Sequence, residues 1–341
     1  TNGSLYGGTA TNGGAVYVSA NGTFNLSGGL IFANTASTNG NNIYNGGTFT
    51  MTGGKVGKQV LARVDENGNK SETGNYVYFG SYPQTLKASS VTIDASSVDS
   101  NGYYLGSDGE RYLKLTAHAP YVGNIIYDFS DGSTITVGST YYFKVEPIKW
   151  KIVNESDGKL TLYAESVLDQ TAWSSSNGLN YKESTVRKFI NSTFYDTAFS
   201  TSEKSLIQTT EVDNSASTLE KGDDALACEN TNDKVFLFSI ADVFLSTGSL
   251  GYTSMGQRKK VPTDFARASG LFMESTTDEN KNNAMYWTRS PSSNKLANMA
   301  YDVVYNGDYS NGGVTANLGV APAIVVSNSE TDSGYGIYNT G

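Results

Sequence analysis

Residues Tyr286–Val326, "YWTRSPSSNKLANMAYDVVYNGDYSNGGVTANLGVAPAIVV", begin and end like a protein interior but carry a middle of Asn, Tyr, Asp, Ser and Gly. The flanks set the fold reading. Trp287 is a core candidate, and Arg289 reads as the maker of a structural ion pair or of hydrogen bonds that hold the loop. "GVAPAIVV", 319–326, reads as a buried central strand, because an apolar run without alternation suits a strand covered on both faces. In the middle, Asn306-Gly307 suits one tight turn and 310–313 a second, with Tyr301, Tyr305 and Tyr309 near them and Val303 and Val304 on opposite sides.

Composition extends this picture. The chain has 341 residues, enough for a large domain with a smaller companion, and is 38% hydrophobic. Its 37 glycines and 23 tyrosines against 17% charged residues favour turn-rich β-structure and an extracellular setting. A formal net charge of −9 disfavours nucleic acid, whose phosphates need clustered Lys and Arg. The one basic cluster, Arg258 to Lys260, reads as a solvated loop. Cys228 is the only cysteine, which excludes an intrachain disulfide or a thiolate metal cluster. No run of 18 apolar residues occurs, so no membrane-spanning helix is expected. The start at Thr1 without a signal-peptide pattern suggests a processed protein or an excised fragment.

Residues 11 to 57 repeat. "GTFNLSGG" at 22–29 returns as "GTFTMTGG" at 47–54, and Thr11-Asn12-Gly13 returns as Thr38-Asn39-Gly40. Each unit reads as short alternating strands between Asn-Gly or Gly-Gly turns, with Phe24, Leu26, Phe49 and Met51 inward. Units this thin bury such side chains only by stacking on neighbours. The pattern resembles the repeats of bacterial adhesins that form parallel β-helix stalks. Some β-helices are polysaccharide-cleaving enzymes, but Thr1 to Val64 contains no Asp or Glu to serve as acid, base or calcium ligand.

Beyond the junction "LARVDENGNKSETG", the character changes. "YVYFGSYPQT" reads as a strand, and two further strands meet around Ser156-Asp157-Gly158, with Trp150, Ile152, Leu160 and Leu162 as core candidates. Only short strands can be placed in 85–140. Helices open at Ser184, at the capping box Ser200/Glu203, at Ser239 with Asp242 in its first turn, and at Thr263, whose helix has Gly270 as C-cap. Short helices followed by a β-rich end read as α+β.

"VYFGSYPQT", "VRKFINSTFYDTAFSTSEKSLI", "VFLFSIADVF", "PTDFARASGLF", "YWTRSPSS" and "GVAPAIVV" resemble, in order, a bacterial surface-domain family of unassigned biochemical function. The closing pattern is similar to the C-type lectin-like fold of formylglycine-generating enzymes and of variable proteins diversified by retroelements. The resemblance implies residues 1–57 as β-solenoid stalk repeats, 58–75 as a junction, 76–326 as a C-type lectin-like domain and 327–341 as a C-terminal tail. The enzymes of that fold use a cysteine pair, a copper-bound thiolate pair or several histidines; this chain has only Cys228 and His118, an ordinary small residue and a loop residue. Asp223 and Asp224, or Asp278 to Asn280, could form a calcium loop or a solvated turn, and no other cofactor is implied.

In retroelement-diversified proteins the penultimate segment carries the varied, solvent-facing positions. Asn298 to Asn311 has that place and composition. Tyr gives broad amphipathic contact at low entropy cost, and Asn, Ser and Asp give adaptable hydrogen bonds. The expectation is a non-catalytic adhesin or receptor-binding module on the bacterial cell surface, carried at the tip of its stalk. Asn298, Tyr301, Asp302, Tyr305, Asn306, Asp308, Tyr309 and Asn311 would face a protein or glycan ligand on another cell, phage or host surface. The alternatives are a solvated Tyr-rich hairpin in a structural spacer, or an enzyme of chemistry not known on this fold.

Overall fold

The echoed repeat motifs fold as parallel strands in register. Thr23–Ile31 pairs with Thr48–Val56, placing Phe24 opposite Phe49 and Leu26 opposite Met51, and Ser4–Leu5 joins on the other side. Thr9–Asn12 pairs likewise with Thr35–Asn39, and Val16–Val18 with Ile43–Asn45. Thr23 to Leu26 therefore meet their counterparts one repeat on, before the register shifts at Ser27. Phe24 and Phe49 stack at 5.7 Å, and Asn34 donates to Asn42 Oδ1, Phe32 O and Leu5 O, which satisfies polar groups between layers. Val18, Leu26, Ile31, Ile43 and Val56 form an apolar cluster separate from the main core. Met51, expected inside, is 51% exposed, on the strand that stands at the edge of this sheet among the described residues.

The computed structural model describes residues 3–32, 34–57, 61–71, 73–120, 127–245, 248–273, 280, 282–293, 298–328 and 337–339. It is 43% strand and 14% helix, mostly β with few helices, and among the described residues no sheet closes on itself. Among the described residues no helix is long and apolar enough to cross a membrane.

Residues of the expected junction and tail take part in the sheets. Within the junction, Arg63–Val64 pairs with the start of Tyr76–Leu86, and Leu61 lies in the main core. Within the tail, Ile337–Asn339 is a strand paired in parallel with Ile43–Asn45.

The larger sheet runs Ile93–Val98, Tyr103–Gly106, Arg111–Thr116, Thr140–Ser156, Lys159–Ala164, Ala323–Ser327, with Tyr76–Leu86 also on Thr140–Ser156. Asp157 and Gly158 both have positive φ, +50° and +65°, as the primed turns of two-residue hairpins require. Trp150, Leu160 and Leu162 are fully buried, and Ile152 is partly so. The weakly patterned 85–140 region supplies an antiparallel meander that sequence reasoning did not resolve.

Each expected helix start is capped. Ser184, Ser200, Ser239 and Thr263 accept from Arg187, Glu203, Asp242 and Ala266 backbone N–H groups, and Ser200 and Ser239 complete reciprocal capping boxes. Gly270 takes φ +96° just past the helix Asp264–Ala268.

The second sheet runs Asp169–Ala172, Asn317–Val320, Tyr286–Ser292, Met299–Val303, Tyr309–Gly313. "GVAPAIVV" is buried but is not one strand. The chain breaks at Ala321-Pro322, so Asn317–Val320 serves the second sheet and Ala323–Ser327 the larger one. Proline lacks the N–H that a continuous central strand would use.

Candidate surface on the second sheet

The strand Tyr286–Ser292 is buried along its whole length, and its polar side chains brace the neighbouring elements. Trp287 Nε1 donates to Thr171 O at 2.9 Å, Thr288 Oγ1 to Tyr301 O at 2.8 Å and Ser290 Oγ to Thr218 O at 3.2 Å. Arg289 is a structural clamp, as its place suggested. It donates to Leu237 O at 3.1 Å, to Asp213 O at 2.8 and 3.2 Å, and to Asp242 Oδ2 at 2.8 Å. Burial pushes Asp242 up, but the Arg289 guanidinium and the Ser249 and Ser239 bonds outweigh it and hold the carboxyl below its ordinary value.

Beside this strand, Met299–Val303 and Tyr309–Gly313 form a hairpin with Tyr309–Gly313 at the sheet edge. Its turn closes through Gly307 N to Val304 O and Val304 N to Asp308 O, both 2.8 Å. Gly307 has φ +86°, and a Cβ there would sit 2.0 Å from Met255 O, so the turn lies directly on the neighbouring backbone. Residues 310–313, expected as a second turn, continue the edge strand instead. There a Cβ on Gly312 would be 2.7 Å from the Trp287 ring.

Burial sorts the eight expected surface residues, the inner strand being covered nearly throughout and the edge strand open. Asn298 and Tyr309 are exposed, while Tyr305, Asn306, Asp308 and Asn311 are half-buried. Tyr301 and Asp302 are buried, which corrects their placement at the surface. Tyr301 turns its hydroxyl inward to donate to Asp223 Oδ2 at 2.9 Å; burial, assisted by Asp223, pushes that hydroxyl up to about 12. Asp302 is paired across the sheet with Trp287 and faces the interior. Neither carboxylate oxygen has a hydrogen-bond partner. Burial raises this carboxyl to about 7; the neighbouring Gly312 amide opposes the rise without reaching hydrogen-bond geometry.

Tyr309, 44% exposed, stands edge-on to Phe244 at 5.1 Å and to Tyr301 at 5.9 Å. The Arg258 guanidinium lies 4.4 Å from the Phe244 ring centroid, and Arg258 Nε donates to Gly307 O at 2.7 Å. Leu245, next to Phe244, and Met255, under the turn, are each about half exposed. Sequence reasoning missed Phe244, Leu245, Met255 and Arg258. They come from distant segments, and only the tertiary fold gathers them.

The basic cluster read as a solvated loop is also corrected, for Arg258 and Lys260 are both buried. Lys260 donates to Ala164 O and sits 3.8 Å from the Tyr163 ring centroid; burial lowers its ammonium to about 7 although Glu165 opposes the shift. Stem packing and carbonyl contacts replace solvation here.

Remaining candidates occupy structural or peripheral places. Asp223 is buried between Ser293 N and the Tyr301 hydroxyl, whereas Asp224 is exposed. Asp278 and Glu279 lie outside the described residues. Among the described residues no three His, Cys, Asp or Glu side chains cluster so as to hold a metal. His118 is exposed in a loop, and Cys228 is half-buried. A cleft of about 350 Å³ is lined by Tyr103, Arg111, Asp196 and Glu203 among others. Its two carboxylates are engaged: Glu203 accepts from Gly80 N and Ser200 N, and Asp196 pairs with Lys204.

Residues 157–328 match the family model described as "Domain of unknown function (DUF6273)". No curated protein and no solved structure matches the chain.

Proposed function

The chain belongs to the DUF6273 family, and on that footing we propose that it is a non-catalytic ligand-binding module of a bacterial cell-surface protein. In this reading the two sheets and their helices form a C-type lectin-like domain, and the N-terminal strands are coils of a parallel β-solenoid stalk. The carrying observation is the exposed Tyr309 ring, held edge-on by Phe244 and Tyr301 on an edge hairpin whose accessible positions include Asn298, Tyr305, Asn306, Asp308, Ser310 and Asn311. A rigid aromatic anchor among short polar groups is the composition of a paratope. Leu245 and Met255 add apolar contact at its flank, which favours a protein over a glycan ligand. Arg258, Asp223 and Arg289 around it are taken up in structural hydrogen bonds, which supports recognition over reaction at this surface.

The same segment suits diversification by a retroelement, because its outward positions can change while the strand beneath keeps its bonds. A reverse transcriptase gene beside the parent gene, with a template repeat matching the codons of residues 287–326, is the expected arrangement; a family in which 298–311 is invariant contradicts it. Binding itself is tested on arrays of extracellular proteins and glycans. Tyr309→Ser is expected to lower the signal at least about tenfold, the loss of a central aromatic anchor, and undiminished binding would reject the surface.

A further inference from the structure

We infer that the domain is inserted within one coil of the repeat stack, so that it projects as a side branch instead of ending the stack as a tip. The inference does not depend on what the surface binds. Three observations carry it. On one face of the stack three strands follow in order, Ser4–Leu5, Thr23–Ile31 and Thr48–Val56. On the next face Thr9–Asn12 and Thr35–Asn39 have no third partner strand among the described residues. The chain departs where that strand would fall, since Leu61 already belongs to the domain core. On the last face the third position is filled again, by Ile337–Asn339. Ile337, Tyr338 and Asn339 lie opposite Ile43, Tyr44 and Asn45, continuing the rows begun by Val16, Tyr17 and Val18.

The sequence repeats the same unit, "NIYNGG" at 42–47 and "GIYNTG" at 336–341. The domain's two ends also meet: Leu61 N donates to Asn328 Oδ1 at 2.8 Å. Ends held together are what insertion into a single coil demands. The domain is thereby anchored at both ends, with its own repeat as the partner of the last strand.

Disulfide trapping in the full-length chain tests this, with Cys228→Ala as background. Neighbouring strands lie about 5 Å apart, within disulfide reach, whereas next-nearest strands lie about 10 Å apart, beyond it. Tyr44→Cys with Tyr338→Cys is expected to close under mild oxidation and to migrate faster on a non-reducing gel. Tyr17→Cys with Tyr338→Cys is expected to stay open. Equal yields for the two pairs, or no closure of the first in folded protein, would overturn the insertion. Hydrogen exchange gives a reading without introduced cysteines. Ending the chain at Asn328 is expected to speed exchange in residues 43–45 about tenfold while the strand Tyr286–Ser292 stays protected; unchanged exchange at 43–45 would equally overturn it.

Discussion

Two buried charged residues on adjacent strands, Arg289 and Asp302, stand in opposite situations. Arg289 spends its donors on two carbonyls and Asp242. Arg289→Met should therefore cost about 3–5 kcal/mol in urea unfolding, since it strands a partly buried carboxylate and two acceptors. Asp302 has no partner, so its ionisation opposes folding. Its folded value near 7 lies above the ordinary 3.8, so the unfolded chain loses the proton first. The stability contributed by the protonated form is whole below about pH 4 and is lost as pH rises through about 7, amounting to a few kcal/mol. Asp302→Asn should accordingly match the parent at pH 4 and exceed it at pH 8. Equal stability at both pH values would contradict this. Asp169, raised to about 6 by burial despite the Tyr82 hydrogen bond, adds a smaller loss of the same sign. None of this was legible from composition: Asp302 looks like its surface neighbours, and only its tertiary place opposite Trp287 buries it.

At the scale of elements, signals that act within a few residues were the legible ones. The Asp157-Gly158 turn, the four helix caps and the Asn306-Gly307 turn each depend on backbone groups three or four positions away. Ser200→Ala should lower stability by about 1 kcal/mol through loss of its capping box, measured as a fall in thermal midpoint. Gly307→Ala should cost more, about 1–3 kcal/mol, because its φ and the Met255 carbonyl both exclude a Cβ. Limited proteolysis should then cut near the hairpin while the larger sheet resists. What escaped reading was set by partners far along the chain. Pro322 splits "GVAPAIVV" because two sheets claim its halves. Arg258 and Lys260 are buried because Gly307, Phe244 and Tyr163 close over them.

For the whole molecule, periodicity revealed the stack, since a repeat must pair with its own echo. It did not reveal that the tail rejoins that stack, because three matching residues are too short a signal without the register. Composition pointed to the proposed surface, whereas the packing of Tyr309 against Phe244 and Tyr301, which singles it out as the proposed anchor, has no local signal in the sequence. The direct test compares two exposed tyrosines. Tyr309 is 44% exposed on the hairpin and Tyr17 is 60% exposed on the stack. On an array of extracellular proteins and glycans, Tyr309→Ser should lower the bound signal at least about tenfold while Tyr17→Ser leaves it intact. Equal effects of the two substitutions, or binding undiminished by Tyr309→Ser, would contradict a ligand surface on this hairpin.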